Sequence, residues 1–330
     1  MPRAQANKPQ TVGISLGDPA GIGPEIVVRA LHARPNLAVR VYGDPRVLAG
    51  AATRLSLPSP SPERVCAVGD MSADVATPGR PNIESARAQL AFLDAATSAA
   101  LNGDVAALCT APISKEWIAR AGFNFPGHTE YLAARSGTTD FAMMLAGPRL
   151  RVVLATRHMA LRDVPRLLTS NDIAQAAVSA ARAVVTDFGI GRARVAVAGL
   201  NPHAGESGRF GDEEDRLVVP AIRMARARLD GERIPAVVTG PHPPDAVFRQ
   251  AFTGTFDVVV ALYHDQGLIP LKLVHFDDAV NITLGLPFTR TSPDHGTAYA
   301  IAGMGRAHPG SFLAALDLAA QFANRCADRR

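Results

Sequence analysis

Cysteine is scarce in this sequence. Its 330 residues include only Cys66, Cys109 and Cys326, which lie far apart and form no CxxC pair. An odd number of dispersed cysteines favours a reducing compartment over a disulfide framework, and the missing CxxC pair argues against a structural zinc ribbon. The first ten residues lack the apolar core of a secretory signal, and no stretch reaches the roughly 18 apolar residues that span a bilayer. These absences predict a soluble, cytoplasmic protein that does not contact a membrane.

Long basic runs and aromatic side chains are also in short supply. The net charge of +4 comes mostly from arginines scattered along the chain, and only 5% of the residues are aromatic. Proteins that bind nucleic acids usually cluster basic residues and supply aromatic rings for base stacking, so we expect no nucleic-acid partner. A mild positive excess does suit a protein whose substrates are small anions.

What the chain does contain is a series of short apolar segments that alternate with helical patterns. Continuous apolar segments predict strands covered on both faces, as in a largely parallel sheet. The predicted strands are residues 11–16, 39–42, 105–109, 151–156, 194–198, 257–263 and 280–284. The predicted helices are residues 25–33, 115–121, 173–187, 213–229 and 311–324. This alternation is typical of an α/β protein.

Local signals mark the ends of some of these helices. Pro24 suits the first turn of the first helix, and Ser114 is expected to cap the second. Asn171 or Asp172 is expected to cap the helix over residues 173–187. The proline-rich residues 56–80 are interpreted as a surface excursion, because strands and helices continue unchanged on both sides.

The usual nucleotide-binding motifs are missing. The glycine spacing of GDPAGIGPE, residues 17–25, differs from GxGxxG, and no Walker P-loop occurs. A nicotinamide cofactor would therefore not be held in the standard Rossmann manner. The segment is interpreted as a tight strand-to-helix turn. The alternative is that its glycines let backbone N–H groups approach an anion at the helix N-terminus.

Four of the nine histidines follow apolar segments and stand beside glycines or other polar residues: His128, His158, His203 and His264. Catalytic groups of open α/β sheets collect beyond the carboxyl ends of the strands. One interpretation makes each histidine a hydrogen-bonded loop residue. In the other, His158, His203 and His264 meet as a three-histidine metal site with coordination positions open for substrate. Their spacing does not decide between the two.

A further polar group comprises Lys272, Asn281 and Arg290. These are either strand-edge or surface residues without a special role, or a clamp for carboxylate and phosphate groups. An arginine fork and a lysine point charge are suited to such a clamp. A polar, glycine-bearing turn follows at residues 294–297.

Five motifs, taken together, resemble a known family. GDPAGIGPE, FPGHTE, LNPHAGE, YHDQG and VNITLGLPFTRTSPDHGTA occur in the order found in the 4-hydroxythreonine-4-phosphate dehydrogenases of vitamin B6 biosynthesis. The resemblance runs from about Thr11 to Ala323. It implies an isocitrate/isopropylmalate dehydrogenase-like fold, with two α/β lobes flanking a cleft, in a homodimer. The first lobe is expected at residues 1–130 and 275–330, and the second at residues 131–274.

The resemblance also implies roles for individual residues. It implies divalent-metal ligands, at a site on the subunit interface, for His158, His203 and His264. It implies substrate contacts for His128, Thr129, Lys272, Asn281 and Arg290. A turn that resembles the cofactor loop of isopropylmalate-type enzymes is formed by Asp294, His295 and Gly296. Two aspartates, Asp245 and Asp265, are candidates for orienting a metal ligand or relaying a proton, with loop capping as the alternative.

The implied reaction is the metal-dependent, NAD- or NADP-linked oxidation of 4-phosphohydroxy-L-threonine. A zinc, cobalt or magnesium ion would lower the pKa of the substrate hydroxyl, and the nicotinamide would accept the hydride. The product, 2-amino-3-oxo-4-phosphooxybutanoate, is a β-keto acid that decarboxylates to 3-amino-2-oxopropyl phosphate. Alternatives are a related dehydrogenase for 4-phospho-D-threonate, 4-phospho-D-erythronate or a cyclic dihydrodiol, a metal-dependent hydrolase, and a non-catalytic metabolite-binding protein.

Overall fold

The computed structural model describes residues 10–69 and 76–328. In chain order the strands are β1 (Val12–Ser15), β2 (Val39–Gly43), β3 (Val65–Ala67), β4 (Ala107–Thr110), β5 (Ala142–Ala146), β6 (Arg151–Leu154), β7 (Ala193–Ala198), β8 (Ala236–His242), β9 (Val258–Ala261), β10 (Val280–Leu284) and β11 (Thr289–Pro293). The helices are α1 (Gly23–Ala33), α2 (Pro45–Leu55), α3 (Ile83–Asn102), α4 (Lys115–Arg120), α5 (His128–Ser136), α6 (Val164–Leu167), α7 (Ser170–Thr186), α8 (Val219–Gly231), α9 (Pro244–Phe252), α10 (His264–Val274) and α11 (Gly310–Asp328). None of the described helices is long and apolar enough to cross a membrane.

The chain divides into two compact units. Unit 1 comprises Met1–Ser136 and Pro287–Arg330, and unit 2 comprises Gly137–Leu286. The lobe limits expected from the sequence stay a prediction. Each unit has its own group of neighbouring strands covered by helices, and each is described separately below.

Unit 1 contains neighbouring strands in the order β3-β2-β1-β4-β11. Every described pair among them is parallel, and Ile14 of β1 is in register with Val41 on one side and Cys109 on the other. Helices α3 and α11 pack against these strands, and the buried rings of Phe92 and Phe312 come from those two helices. Because both faces are covered, most residues of β1, β4 and β11 are buried, including polar ones such as Thr291.

Unit 2 contains neighbouring strands in the order β10-β5-β6-β9-β7-β8. Strands β6, β9, β7 and β8 pair in parallel, whereas β5 runs antiparallel to both β10 and β6. Helices α7 and α10 pack on this arrangement. Its core includes Leu145, Val152, Val259 and Leu271, all fully or almost fully buried. The parallel strands β6, β9 and β7 are the ones that position the candidate site.

The α/β class is confirmed, and all of the strands predicted from apolar segments are present within a few residues of the expected limits. Strand β5 was not predicted, because its sequence AMMLA consists of residues with little preference for strands. The interpretation of residues 56–80 as a mere surface excursion is wrong in part, since Val65–Ala67 pairs with β2 as an edge strand. Residues 70–75 of this stretch lie outside the described residues.

Two helix starts differ from expectation. The cap of α7 is Thr169, not Asn171 or Asp172. The Asp172 N–H donates to Thr169 Oγ1 at 3.2 Å and the Thr169 N–H donates to Asp172 Oδ2 at 3.0 Å, so the two residues form a reciprocal capping box. The helix expected at residues 213–229 opens instead with a π-helical turn, Glu214–Val218, before α8. The expected cap Ser114 is confirmed, because its Oγ accepts a hydrogen bond from the Trp117 N–H at 3.4 Å.

Candidate functional site

The three histidines proposed as metal ligands follow three neighbouring strands of unit 2. His158 comes after β6, His203 after β7, and His264 is the first residue of α10, directly after β9. The strand order is β6-β9-β7, and both pairs are parallel. The carboxyl ends of parallel neighbours lie at one edge of a sheet, which is where open α/β proteins place their functional groups.

His158 and His264 are in contact. Their ring centroids lie 5.6 Å apart, with the ring planes tilted by 40°. The Nδ1 of His264 lies 2.7 Å from Asp265 Oδ1, and a carboxylate there holds the proton on Nδ1 and leaves Nε2 available as a ligand. Asp265 is exposed and lies in the first turn of α10, where a negative charge is stabilised by the helix N-terminus.

His203 lies on an unusual loop. It is exposed, has a left-handed backbone with φ of 53°, and is followed by further left-handed residues up to Gly208. Its ring stands 6.3 Å from that of Phe210. In the described part of this chain, no three His, Cys, Asp or Glu side chains are gathered in an arrangement that could hold a metal ion. The structure therefore brings two of the three predicted ligands together, and His203 does not join them within one chain.

A buried carboxylate, that of Glu214, holds the start of this loop. Its Oε1 accepts hydrogen bonds from the backbone N–H groups of Leu200 at 2.8 Å and Asn201 at 2.7 Å. Its Oε2 accepts another from Asn201 Nδ2 at 3.0 Å. Gly199 is close to the same carboxylate, since a Cβ placed there would lie 3.1 Å from Glu214 Oε1. Ionised carboxylates make stronger hydrogen bonds than neutral groups, so Glu214 is a strong anchor for the loop.

Buried side chains also join the three strand ends. Gln266 Nε2 donates to the Gly199 carbonyl at 2.7 Å, and Gln266 Oε1 accepts from the Leu262 N–H at 2.7 Å. The hydroxyl of Thr156 donates to the Leu262 carbonyl at 2.7 Å. Gln266 and Glu214 were not singled out in the sequence. Neither could be found by spacing, because Gln266 bonds to Gly199 across 67 positions and Glu214 bonds to Leu200 and Asn201 across 14 and 13.

Two cavities of unit 2 open beside these residues. One, of about 450 Å³, is lined by His158 and His264 together with Arg157, Tyr263 and Asp265. The other, of about 710 Å³, is lined by Asp245, Asp265 and Gln266 among mainly apolar side chains. The two aspartates proposed for a catalytic role thus line one cavity. Asp245 lies in the first turn of α9, and whether it acts in catalysis or caps the loop stays a prediction.

Lys272 and Asn281 also belong to unit 2. Lys272 is half-buried in α10, and Asn281 is the second residue of β10. Asn281 Oδ1 is buried and has no hydrogen-bond partner among the described residues. A buried amide oxygen without a donor is unfavourable by roughly 1–3 kcal/mol, so this atom is available to a ligand that carries an N–H or O–H group.

His128, Thr129 and Arg290 belong to unit 1. His128 and Thr129 begin α5, and Arg290 of β11 is close enough for its charge to act on His128. Arg290 of β11 is almost fully buried, and its Nη2 donates to Thr110 Oγ1 at 2.7 Å. Burial lowers the pKa of Arg290 to about 10, so its guanidinium is still charged at neutral pH. Burial, with the positive charges of Arg290 and Lys115, lowers the pKa of His128 well below 6.5. The result is a neutral imidazole beside a buried cation, an environment that favours an anion.

Lys115 was missed in the sequence. Its positive charge acts on His128, and its Cε would lie 3.3 Å from a Cβ placed on Gly127. A signal was available, because Lys115 opens α4 shortly after the carboxyl end of β4, as the histidines of unit 2 follow their strands. Its exposed side chain adds a second positive charge next to His128.

The two glycine-bearing turns of unit 1 lie together. The Ile22 N–H donates to the Thr297 carbonyl at 3.0 Å. Asp18, whose pKa is raised by burial, accepts hydrogen bonds from the Ala20 N–H at 2.9 Å and from Tyr299 Oη at 2.5 Å. Residues 17–25 thus form the expected tight turn, closed by its own carboxylate. Gly17 is required there, because its φ is +72° and a Cβ would lie 2.4 Å from the Pro112 carbonyl oxygen.

The proposed cofactor turn follows β11. The Asp294 N–H donates to Ser311 Oγ at 3.1 Å. His295 is exposed, with Nδ1 3.1 Å from the Gly296 carbonyl oxygen. The structure therefore shows an anchored turn whose histidine and glycine face solvent.

Comparison with known proteins adds four findings. The sequence model of a family described as "Pyridoxal phosphate biosynthetic protein PdxA" matches residues 36–319. A 4-hydroxythreonine-4-phosphate dehydrogenase of Desulfosudis oleivorans is 48% identical over 93% of this chain and 94% of its own length. A D-threonate 4-phosphate dehydrogenase of Salmonella typhimurium is 42% identical over 95% of this chain and 99% of its own. Among solved structures, a 4-hydroxythreonine-4-phosphate dehydrogenase from Klebsiella pneumoniae matches with a TM-score of 0.81 and 40% identity, over 95% of this chain and 99% of that one.

Proposed function

The chain belongs to the family of the pyridoxal phosphate biosynthetic protein PdxA, and we propose that it oxidises 4-phosphohydroxy-L-threonine. We assign His158, His203 and His264 as the ligands of the metal that this reaction needs. The dehydrogenase activity rests on the family and on its relatives named 4-hydroxythreonine-4-phosphate dehydrogenase. The observation that carries the metal assignment is the contact between His158 and His264 at the carboxyl ends of neighbouring parallel strands. The product decarboxylates to 3-amino-2-oxopropyl phosphate.

The donor set fits a divalent cation. Two imidazoles in contact, one of them oriented by a carboxylate, are the ligand chemistry that zinc and cobalt prefer, and magnesium remains a third candidate. When bound, the metal supplies a Lewis acid for the substrate hydroxyl, and NAD or NADP supplies the hydride acceptor. Asp265 fixes the orientation of His264. Asp245, exposed at the same cavity, is proposed to accept the proton that leaves with the oxidation.

The substrate carries a phosphate and a carboxylate, and residues suited to such anions are assigned for each unit by itself. In unit 1 we assign the neutral imidazole of His128, the hydroxyl of Thr129 and the buried guanidinium of Arg290. In unit 2 we assign Lys272, and Asn281 with its buried Oδ1 as acceptor for an N–H or O–H of the substrate. The cofactor is assigned to the turn of Asp294, His295 and Gly296, which is supported by the contact between Thr297 and the start of α1.

We further propose that the enzyme is a homodimer whose metal site draws on both subunits, in the cytoplasm. The support is an exposed apolar surface near the histidines, on α10, just after its end, and on the segment before α6. Leu161, Ile269, Leu273 and Phe276 are between 67% and 83% exposed. Apolar surface of this kind marks a protein–protein interface. A shared site also explains why one chain gathers only two of the three ligands.

A second candidate is the oxidation of 4-phospho-D-threonate or 4-phospho-D-erythronate. It is favoured by the similarity to the D-threonate 4-phosphate dehydrogenase, which covers almost the whole of both chains. These compounds share the phosphate and the oxidised hydroxyl with 4-phosphohydroxy-L-threonine, so the same residues would bind them. A cyclic dihydrodiol lacks the phosphate and would leave the buried charge of Arg290 without a counterpart in the substrate.

The test is an assay of reduced nicotinamide formation with metal-stripped protein, with and without added zinc, cobalt or magnesium. Metal-dependent turnover of 4-phosphohydroxy-L-threonine, lost in His158→Ala and His264→Ala proteins that remain folded, is the expected result. Preference for 4-phospho-D-threonate would replace the substrate and retain the chemistry. Near-native activity of metal-stripped His264→Ala protein would overturn the metal assignment.

A further inference from the structure

Gln266 is buried just inside α10, two residues after His264. Its side-chain amide makes two short hydrogen bonds, both to backbone groups and both 2.7 Å long. The acceptor Oε1 binds the N–H of Leu262, at the end of β9, and the donor Nε2 binds the carbonyl of Gly199, at the end of β7. Because one partner is a donor and the other an acceptor, the orientation of the amide is determined.

The same backbone segment is tied to the third strand. The Leu262 carbonyl accepts a hydrogen bond from Thr156 Oγ1, which follows β6. Gln266 and Thr156 together therefore link the ends of β6, β9 and β7. Each of these ends leads, within a few residues, to one of the three histidines: His158, His264 and His203.

The two bonds of Gln266 need an acceptor and a donor on one side chain. An ionised glutamate would retain the acceptor for Leu262 but would direct a carboxylate oxygen at the Gly199 carbonyl oxygen. A leucine of similar size would leave both buried backbone groups without their partner, which is unfavourable. The backbone at Gly199 is closely packed against the His203 loop, since a Cβ placed on Gly199 would lie 2.8 Å from the Cα of Ala204.

We propose that Gln266 is a positioning residue for metal binding: through its two hydrogen bonds it holds in place both the loop that carries His203 and the helix start that carries His264. It contacts neither metal nor substrate in this role and acts only through Gly199 and Leu262. The inference rests on the proposed assignment of the three histidines as ligands. It goes beyond that assignment because it names the residue that fixes the backbone segments from which His203 and His264 extend.

The experiment compares wild-type protein with Gln266→Glu and Gln266→Leu variants in two measurements. Calorimetric titration of the full-length, metal-stripped protein with Co²⁺ gives the metal affinity. Hydrogen–deuterium exchange of the metal-free protein gives the protection of the backbone amides in residues 199–206. Substitution of groups that orient metal ligands lowers metal affinity by about 10- to 100-fold, and we expect this loss in both variants, together with faster exchange in residues 199–206.

The matched control is Gln89→Leu. Gln89 is also a buried glutamine, but it lies in unit 1. Its side-chain amide accepts a hydrogen bond from the Ser114 N–H at 2.8 Å and donates to Asp18 Oδ2 at 3.1 Å and to the Ser85 carbonyl at 3.4 Å. The Gln89→Leu variant measures the loss of stability that follows from removing a buried side-chain amide. We expect the Co²⁺ affinity of this variant to equal that of the wild type. Equal loss of Co²⁺ affinity in Gln89→Leu would overturn a specific role for Gln266.

The outcomes separate this inference from the function on which it rests. If wild-type protein does not bind Co²⁺ or Zn²⁺, the metal assignment itself fails, and the role of Gln266 in metal binding fails with it. If the wild type binds Co²⁺ and folded Gln266→Glu protein binds it equally well, the assignment stands and the positioning role is wrong. Unchanged exchange in residues 199–206 of both variants would equally overturn the link between Gln266 and the His203 loop.

Discussion

The buried carboxylate of Glu214 accepts a 2.7 Å hydrogen bond from the backbone N–H of Asn201. Asn201 stands two residues before His203, at the point where the chain enters a run of left-handed residues. Left-handed backbone is unfavourable for residues other than glycine and persists only where the surroundings hold it. Glu214 lies in a π-helical turn, a feature often found at functional sites. The relationship indicates that Glu214 holds the His203 loop in its strained form.

We therefore expect Glu214→Gln to weaken both the fold and the metal site. The amide would keep one acceptor oxygen but lose the charge that strengthens the bonds to Leu200 and Asn201. Loss of hydrogen bonds to a buried charged group lowers the free energy of unfolding by about 1–3 kcal/mol. Urea unfolding measures this change, and Co²⁺ titration of the folded variant measures the loss of metal affinity.

The neighbouring carboxylate provides the control for that prediction. Glu213 accepts a single hydrogen bond, from Asn201 Nδ2 at 2.8 Å, and is only half-buried. Glu213→Gln should lower the free energy of unfolding by less than about 1 kcal/mol. Equal effects of the two substitutions would contradict a special role for the buried carboxylate.

Asp265 is expected to act on the metal through His264. In Asp265→Asn the side chain keeps its shape, but its hold on the Nδ1 proton of His264, 2.7 Å away, is weakened. Replacement of such a partner typically reduces metal affinity about 10- to 100-fold. Because Asp265 is 72% exposed, we expect little change in unfolding temperature. Calorimetric titration with Zn²⁺ and a thermal melt measure the two effects, and an unchanged Zn²⁺ affinity would show that His264 does not need this carboxylate.

Much of this site could be predicted from the sequence, because its residues follow strands that apolar segments identify. His158, His203 and His264 come after β6, β7 and β9 in this way. What the spacing of the histidines could not predict is which of them meet. The structure joins His158 and His264, and the convergence of His203 on them stays a prediction.

The positioning role of Gln266 could not be predicted from the sequence, and the reason is physical. Gln266 and Gly199 are 67 positions apart, and the bond between them joins a side chain to a backbone carbonyl. Backbone groups are the same at every position, so nothing in the sequence marks Gly199 as the partner of a glutamine. Lys115 differs, because its place shortly after β4 marks it in the sequence itself.

We expect the buried charge of Arg290 to lower the stability of the folded protein and to strengthen binding of the anionic substrate. Its folded-state pKa of about 10 lies below the ordinary 12.5 because of burial, so at neutral pH the folded protein carries a charge that its surroundings disfavour. Replacement of buried charges by apolar residues of similar size is often neutral or stabilising. We expect Arg290→Met to melt at the wild-type temperature or above it, while kcat/KM for the phosphorylated substrate falls about 10- to 100-fold through lost charge-assisted hydrogen bonds.

The Arg290→Lys variant distinguishes the contribution of the positive charge of Arg290 from that of the planar shape of its guanidinium group. Arg290→Lys keeps the positive charge but loses the planar fork, so its kcat/KM should lie between those of wild type and Arg290→Met. A marked drop in the melting temperature of Arg290→Met, with an unchanged KM, would instead identify Arg290 as a structural residue that binds Thr110.

His128 should make the stability of the protein depend on pH below neutrality. Its folded-state pKa lies well below the ordinary 6.5, because burial and then the charges of Arg290 and Lys115 disfavour the imidazolium. Below pH 6.5 the unfolded chain therefore binds a proton that the folded chain does not, so stability falls as the pH is lowered. One such group contributes a slope of at most about 1.4 kcal/mol per pH unit. Urea unfolding at pH 7.5 and pH 5.5 should show a smaller loss for His128→Gln than for wild type. The other histidines are common to both proteins and cancel in this difference, so equal losses would mean that His128 is protonated as readily in the folded protein as in the unfolded chain.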